Sequence, residues 1–428
     1  MLRKYYDHRV NIKSKFSPNT FDEVINIAAE VTDLFTKKGF RLYFVGGIVR
    51  DLLLGLPSDA QDLDCTTDAL PEQIKDIVQE IADAVWLQGE RFGTIGMRLG
   101  EINFEITTHR AESYIDDSRN PIVQFSNDLT NDLIRRDFTV NAMAVDASTG
   151  DLYDPYNGIE DLEERILRTP MDPKESFNDD PLRILRAARF IATYKLIPTL
   201  DLLEAAQQVS KRLDIISVER IRDEIFRLLS ADDPRLGFKF LFSANAISHI
   251  FPEMFSLTEN EREELLNRIA VIDPNPLLRI AVFKETIPDL RLSSLRLAAK
   301  DIEYVIKIKK ALLVLEQSHE CEWSDPELRK LAFDFNDVLD DTMEILQKIS
   351  ADYLTVINGI KRLREKGEFN NFGPFFDGSK IMKELDIGPG PDVGLVTDWL
   401  IQLQIQEGLL SDEEVKQKLH TWWNSRIK

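Results

Sequence analysis

Two aspartates separated by one residue stand in a short extended segment, Asp62-Leu63-Asp64. Side chains two positions apart on a strand point to the same side, so both carboxylates share one face. Carboxylates held this close repel each other unless cations lie between them, and paired Mg²⁺ ions are the simplest answer because they bind carboxylate and phosphate oxygens. Two such ions stabilise the attacking and the leaving oxygen of an in-line displacement at phosphorus. An isolated pair is more often a solvated acidic strand, so the neighbouring segments must decide.

A Gly-Gly turn comes about 15 residues before the aspartates. Gly46 and Gly47 lie between a predicted strand, 41–45, and a predicted helix. At such a turn, backbone N–H groups and the start of the helix can approach a triphosphate, and Arg50 can reach one of its oxygens. The alternative is a turn that only requires positive φ. The aspartates that follow, with Glu105 on a later strand as a third carboxylate, favour a nucleotide site.

A second basic segment, RRDFTVNAM, begins at Arg135. Arg135 and Arg136 can hold triphosphate oxygens in bidentate fashion, and Asp137 and Asn141 can hydrogen-bond to ribose hydroxyls. In isolation, a surface pair of arginines followed by a capped helix explains the segment equally well.

The sharpest pattern is DDPLRILRAAR at residues 179–189. Helix initiation explains the acids, but not Arg183, Arg186 and Arg189, which recur every three residues and form a basic ridge. A solvated helix face is the alternative. A carboxylate only accepts hydrogen bonds and a guanidinium only donates them. Asp180 with Arg183 therefore fits the donor and acceptor pattern that cytosine and adenine share, and disfavours uracil and guanine.

These residues need a mixed framework to position them. Periodicity predicts the following elements: helices over 20–40, 48–54 and 71–82, strands over 41–45 and 62–66, and a hairpin of 93–99 with 102–108. On the second hairpin strand, Glu105 shares the polar face with Asn103 and Thr107. Residues 109–128 are polar and weakly periodic, which predicts a loop. Beyond Asp161 nearly all the periodicity is helical. The expected fold is α+β, a mixed sheet with helices followed by an all-helical remainder.

Composition limits the partners and the compartment. The chain has 428 residues, enough for about three packed units. Lys and Arg number 53 against 74 Asp and Glu, a net charge of −21, so any surface that binds nucleic acid must be local. Two cysteines exclude a disulfide framework and favour a reducing compartment. We expect a cytoplasmic protein with no signal peptide, no membrane span and no DNA partner.

Taken together, the segments resemble the class II tRNA nucleotidyltransferase family, the CCA-adding enzymes and the related bacterial poly(A) polymerases. The segments are VGGIVRDLLLG with DLD, RRDFTVNAMA, LYDPYNGIEDLEERILR, DDPLRILRAARF and ISVERIRDEIFRLL, and the resemblance extends over roughly residues 20–420. It implies a polymerase-β-like nucleotidyltransferase head over 1–157, a helical neck that reads the base over 158–235, a helical body over 236–330 and a helical tail that contacts tRNA over 331–428.

The resemblance also implies the activity: CCA is added to the tRNA 3′ end from CTP and ATP with release of pyrophosphate. Two Mg²⁺ ions would be held by Asp62 and Asp64, with Glu105 as a third carboxylate. Asp180 and Arg183 would act as a protein template. The remaining nucleotide-binding positions would be Gly46, Gly47, Arg50, Arg135, Arg136, Asp137, Asn141, Arg186 and Arg189.

Three departures bear on the choice among relatives. Asp179 stands where the family usually has Glu, the five histidines include no His-Asp pair of a phosphohydrolase, and the basic C-terminal extension of poly(A) polymerases is missing. The loop predicted at 109–128 favours full CCA addition over CC-only addition. Addition of only CC or only A, poly(A) synthesis, nucleotidyl transfer to a small molecule, and RNA binding by an inactive site are the alternatives.

Overall fold

A seven-stranded mixed sheet carries the aspartate pair and the Gly-Gly turn. The computed structural model describes residues 20–56, 61–113, 122–317, 323–369 and 373–426. It separates into two units, up to Leu257 and from Thr258 onward. This boundary lies inside the segment 236–330 assigned above to a body, and the division into four domains stays a prediction.

The first unit contains all the strands found in the described residues. They are β1 (Leu42–Val45), β2 (Asp62–Thr67), β3 (Ala84–Trp86), β4 (Thr94–Leu99), β5 (Ile102–Thr108), β6 (Arg110–Ser113), β7 (Ile122–Phe125), β8 (Ala144–Asp146), β9 (Leu152–Tyr153), β10 (Ile166–Leu167) and β11 (Ile197–Pro198). The main sheet has the order β3-β4-β5-β2-β1-β8-β9, and β6 with β7 and β10 with β11 form separate pairs. Along the chain, the helical C-terminal part of this unit therefore comes directly after the strands of the main sheet.

The helices of the first unit pack beside the sheet and then against each other. They are α1 (Asp22–Ile27), α2 (Ala29–Lys37), α3 (Gly47–Leu53), α4 (Pro71–Val78), α5 (Leu129–Ile134), α6 (Gly158–Glu164), α7 (Pro173–Asp179), α8 (Arg183–Tyr194), α9 (Leu200–Val209), α10 (Val218–Leu229), α11 (Arg235–Ser243), α12 (Ile247–Ile250) and α13 (Pro252–Phe255).

The second unit is helical throughout its described residues. Its helices are α14 (Glu259–Val271), α15 (Pro276–Val282), α16 (Asp289–Ser294), α17 (Ala299–Gln317), α18 (Asp325–Phe335), α19 (Leu339–Ile349), α20 (Leu354–Glu365), α21 (Gly378–Leu385), α22 (Pro391–Glu407) and α23 (Asp412–Arg426). The last three enclose an apolar core against which Trp399, Trp422 and Trp423 pack. No helix of the described residues is long and apolar enough to cross a membrane.

Strand β2 lies near the middle of the sheet, antiparallel to β1 and parallel to β5. Leu63 and Cys65 are buried on one side of it, whereas Asp62 and Asp64 are exposed on the other. The alternation predicted from the sequence is confirmed, as is the hairpin, in which Leu99 pairs with Ile102.

Three local predictions need correction. The helix predicted over 20–40 is broken between α1 and α2 at Ala28, and the helix predicted over 71–82 ends at Val78. The loop predicted over 109–128 was wrong where β6 and β7 form, with Arg110 opposite Phe125; residues 114–121 lie outside the described part of the chain. An isolated pair of strands is held by backbone hydrogen bonds, so it does not require the apolar alternation by which strands are recognised in a sequence.

Helix α8, which carries the basic ridge, is fixed by close packing against α11. A Cβ atom on Gly237 would lie 2.4 Å from the carbonyl oxygen of Ala188 and 2.5 Å from Cδ1 of Leu228. Neither distance is tolerated, and the first involves backbone that cannot rotate away. Glycine is therefore required where α11 crosses α8.

We expect Gly237→Ala to lower the free energy of unfolding of the first unit by about 1–3 kcal/mol, because the added methyl group overpacks the crossing. Urea denaturation followed by circular dichroism measures this. The control is Gly394→Ala in α22, where a Cβ meets nothing within 4 Å and alanine should stabilise the helix by about 1 kcal/mol. Unchanged stability of Gly237→Ala would contradict the close approach.

Candidate active site

Three carboxylates face one cavity on the exposed side of the sheet. The cavity has a volume of about 440 Å³ and is lined by Asp62, Leu63, Asp64, Trp86, Asn103 and Glu105. The parallel register places Asp64 opposite Glu105 and Asp62 opposite Asn103. Asn103 donates a hydrogen bond from Nδ2 to Oδ1 of Asp62 at 2.9 Å, which orients that carboxylate. The structure thus brings together the three acids predicted from the sequence.

Two carboxylates of this cavity, Asp64 and Glu105, have raised pKa values. Burial raises the pKa of Asp64 above its ordinary value; the nearby Arg136 opposes this shift, and the negative charge of Asp62 adds to it. Burial also raises the pKa of Glu105, and the charges of Asp64 and Asp62 raise it further. Although Asp64 is exposed at the cavity, enough protein surrounds it to weaken its hydration.

The chemistry of these donors fits a divalent cation. All are oxygens, which hard cations prefer, and a cation would relieve the repulsion between the acids. Within the described residues, however, no three or more Asp, Glu, His or Cys side chains already stand as a ready-made metal cluster. Asp62 and Asp64 would therefore bind a cation together with oxygens from a substrate, and Glu105 is the nearest further carboxylate.

The Gly-Gly turn lies next to Asp64. Gly46 has φ +75°, and a Cβ on it would lie 3.3 Å from Nη1 of Arg136 and 3.7 Å from Oδ2 of Asp64. A larger residue would be strained by this backbone conformation and would crowd both side chains. The predicted strand, turn and helix are confirmed, and the turn leaves room beside the acids.

Arg50 is turned away from open space and holds α3 to α8. Its Nη1 donates to Oδ1 of Asn141 at 2.6 Å, and its Nε and Nη2 donate to the carboxylate of Asp51 at 2.8 and 2.9 Å. It also donates to the hydroxyl of Tyr194 and lies 4.2 Å from the centroid of that ring. Its side chain is only 7% exposed, so in this structure the guanidinium serves contacts within the protein.

Asn141 and Asp137 continue this contact to α8. Asn141 donates from Nδ2 to Oδ1 of Asp137 at 2.9 Å, and Arg186 donates from Nε to Oδ2 of Asp137 at 2.9 Å. Burial alone would raise the pKa of Asp137, but the charge of Arg186 and the hydrogen bond from Asn141 hold it well below its ordinary value. Also on α8, Arg189 donates to Glu224 of α10 at 2.8 Å. We call Arg50, Asn141, Asp137 and Arg186 the polar bridge.

Arg135 and Arg136 share a partner that the sequence did not indicate. Both form ion pairs with the fully buried Asp132 of α5, Arg136 at 3.2 Å. Arg136 also faces Gly46 and Asp64, whereas the carbonyl oxygen of Arg135 accepts a hydrogen bond from Nη2 of Arg183. Of the two arginines, Arg136 is the one that the structure places at the acids.

Asp180 and Arg183 have separate partners. Oδ1 of Asp180 accepts from the backbone N–H of Leu182 at 3.1 Å, and Oδ2 accepts from Nη2 of Arg220 on α10 at 2.9 Å. Arg183 is buried and donates from Nη1 to Oγ of Ser176 at 2.6 Å. The ion pair with Arg220 was missed, although Arg220 belongs to one of the segments that carry the family resemblance.

Comparison with known proteins supports the family resemblance seen in the sequence, over most of the chain. Residues 42–168 match the family described as the poly(A) polymerase head domain, and residues 199–257 match the probable RNA- and SrmB-binding site of polymerase A. A CCA-adding enzyme of Lactococcus lactis subsp. lactis is 32% identical over 414 residues, 90% of this chain and 94% of the relative. The chain belongs to the family of CCA-adding enzymes.

Further relatives agree. The CCA-adding enzyme of Streptococcus suis is 30% identical over 409 residues, 93% of this chain and 95% of the relative. The crystal structure of the Bacillus stearothermophilus CCA-adding enzyme in complex with CTP is 25% identical and has a TM-score of 0.74, covering 96% of this chain and 99% of that one. The Thermotoga maritima enzyme complexed with tRNA, at 20% identity and TM-score 0.68, shares the fold. The predicted family and α+β fold are confirmed, and nucleotidyl transfer in this family depends on divalent metal.

The raised pKa of Asp64 predicts that this carboxylate serves the site but lowers the stability of the fold. A folded-state pKa above the ordinary value, near 3.9, means that ionised Asp64 destabilises the fold at neutral pH. We expect Asp64→Asn to raise the Tm in EDTA at pH 7 by at most a few degrees, since the carboxylate is still open to solvent. The gain should shrink as the pH falls and Asp64 takes up a proton. Differential scanning calorimetry measures both effects.

Asp76→Asn is the matched control, because Asp76 lies exposed on α4 and its neutralisation should leave the Tm unchanged. Added MgCl₂ should stabilise the wild-type protein more than Asp64→Asn. A lower Tm for Asp64→Asn in EDTA would refute the repulsion between the acids.

Proposed function

We propose that this protein adds CCA to the 3′ end of tRNA, using CTP twice and ATP once. The observation that carries the proposal is the position of Asp62 and Asp64 beside the Gly46-Gly47 turn and Arg136, in a chain related to CCA-adding enzymes over nine-tenths of its length. In each cycle the 3′-hydroxyl oxygen of the RNA attacks the α-phosphorus. The bond to pyrophosphate breaks, and the hydroxyl proton is lost to solvent.

The acids and Arg136 form the reaction centre in this proposal. Asp62 and Asp64 would hold two Mg²⁺ ions, with Glu105 as third carboxylate; when bound, these ions would neutralise charge on the phosphate oxygens. Arg136, which lies beside Gly46 and pairs with Asp132, would bind the triphosphate, with the turn beside it. Most of the rate enhancement then comes from positioning and charge neutralisation.

The polar bridge positions the nucleotide pocket. Arg50, Asn141 and Asp137 use their polar atoms on each other and on Arg186, so we assign them to holding α8 against the sheet. Arg186 and Arg189 line the pocket from α8, and Arg135 supports it through its carbonyl oxygen on Arg183. This assignment keeps all the predicted residues in one connected site but gives several of them an indirect role.

Base selection is assigned to Asp180 and Arg183. Each carboxylate oxygen of Asp180 has accepted one hydrogen bond and can accept a second, from the amino group of cytosine or adenine. A guanidinium has five N–H donors, and the three hydrogen bonds of Arg183, two to Ser176 and one to Arg135, leave others for a ring nitrogen. Uracil and guanine would present the opposite pattern.

Narrower activities remain as alternatives within the same family. CC-only and A-only addition and poly(A) synthesis use the same acids, and substrate trials with each nucleoside triphosphate singly distinguish them. Transfer to a small molecule accounts poorly for a match that includes an RNA-binding region. We place the activity in the cytoplasm, where bacterial tRNA is processed.

Removal of either aspartate should abolish nucleotide addition and leave tRNA bound. We expect Asp62→Ala and Asp64→Ala each to reduce incorporation of labelled CTP into a tRNA lacking its 3′ end by at least about 10³-fold, because charge stabilisation at phosphorus is lost. Filter binding should give an almost unchanged Kd for tRNA. Asp76→Ala on α4 is the control and should retain activity; full turnover by either site variant would exclude the metal assignment.

Asp180→Ala should relax base selection. Without the acceptor, the amino groups of cytosine and adenine lose their partner, and uracil and guanine no longer meet a carboxylate that cannot donate to them, so UTP and GTP should compete with CTP and ATP. The kcat/KM values for the four triphosphates measure this, with the exposed Glu204→Ala of α9 as control. Arg220→Ala tests which arginine donates to the ring nitrogen of the base. If Arg183 is the donor, base selection survives the loss of Arg220. Undiminished selectivity of Asp180→Ala would rule out the protein template.

A further inference from the structure

A tryptophan lines the carboxylate cavity without a part in the chemistry described above. Trp86 is the last residue of β3, an edge strand of the main sheet. Its side chain is half-buried, and it faces the same cavity as Asp62, Asp64 and Glu105. An aromatic surface of this size beside acidic groups calls for an explanation beyond packing.

Strand pairing places Trp86 in one row with the reacting acids. Trp86 lies opposite Gly96, Gly96 lies opposite Glu105, and Glu105 lies opposite Asp64. Residues directly opposite each other across neighbouring strands point to the same face. The indole, the glycine and the two carboxylates therefore form a continuous row across β3, β4, β5 and β2.

The glycine in this row is what lets the indole approach the acids. A Cβ on Gly96 would lie 1.8 Å from Nε1 and 2.0 Å from Cε2 of Trp86. The ring therefore covers the position of Gly96, one strand closer to Glu105 than its own backbone. Any larger residue at position 96 would push the ring out of the row.

The two ends of the row serve different sides of the site. Asp64 lies on β2; beyond it come β1 and β8, and the polar bridge joins Arg50 after β1 to Asn141 before β8 and to α8. The nucleotide side is thus on one flank of the acids, and Trp86 is on the other. The reaction has two substrates, so the flank of Trp86 is left for the end of the RNA.

We propose, on the basis of the proposed function, that Trp86 stacks on the terminal base of the RNA that is being extended. The base at that end is the last base of the incomplete tRNA at the first addition and cytosine at the next two, so hydrogen-bond readout of a single base would fail at some step. Stacking on an aromatic ring tolerates every base, because each has a π-face. The stack holds the 3′-terminal nucleotide so that its hydroxyl meets the acids.

Trp86→Ala should lower kcat/KM for a tRNA lacking its 3′ end by about 5- to 150-fold, the range for loss of one base stack. The KM for CTP should not change. Trp86→Phe retains an aromatic ring and should recover most of the activity. Val85→Ala, on the opposite face of β3, is the control for damage to the strand.

Gly96→Ala provides an independent test that leaves Trp86 in the sequence. The added methyl group displaces the ring, so this variant should show the same selective defect. In a Trp86→Ala background, Gly96→Ala should have no further effect. Additive defects of the two changes, an unchanged kcat/KM for tRNA in Trp86→Ala, or a raised KM for CTP would each overturn the proposal.

A binding measurement separates this proposal from the proposed function. If wild-type protein transfers no nucleotide to tRNA, the proposed function fails, but stacking is still read from tryptophan fluorescence on addition of the same tRNA without nucleotide. Stronger quenching of the wild-type protein than of Trp86→Phe supports the stack. Equal quenching of the two refutes it.

Discussion

The contact between Asp137 and Arg186 connects the sheet that carries the acids to α8. A carboxylate as buried as Asp137 would be costly in the interior without compensation. Arg186 of α8 and Asn141 provide that compensation, and Asn141 in turn fixes Arg50. Because each member satisfies another, α8 has one well-defined position relative to the sheet, and this contact sets the distance from the acids to Arg183 at the start of α8.

The carboxylate cavity is built on the opposite principle. The charge of Asp62 raises the pKa of Asp64, and the charges of Asp64 and Asp62 raise that of Glu105. Arg136, the positive group that opposes the shift of Asp64, is shared with Asp132. The first unit therefore contains both the polar bridge, whose charged groups are paired within the protein, and the carboxylate cavity, whose negative charges are only partly compensated there. The first gives rigidity where geometry must be kept, and the second retains free energy that substrate phosphates and cations can use on binding.

Local patterns predicted much of this site from the sequence. The alternation around Leu63 and Cys65 placed both aspartates on one face, and the polar face of the hairpin strand identified Glu105. What the sequence could not give were contacts between distant segments. The ion pair of Asp180 with Arg220 joins α10 to the start of α8, and Trp86 reaches the acids only through two successive strand pairings. Arg50 was expected at phosphate because its guanidinium is a general anion ligand, and only the fold shows how many internal acceptors surround it.

The hydrogen bonds that Arg220 and the Leu182 backbone N–H donate to Asp180 also affect how the base selectivity of such an enzyme could be changed. Both groups are donors, and each is aimed at one carboxylate oxygen of Asp180. A side chain that donates to uracil or guanine would meet two donors already aimed at it. Under the proposed role of Asp180, a change in the bases that this site selects therefore requires a coordinated replacement on α10, and a single mutation does not achieve it.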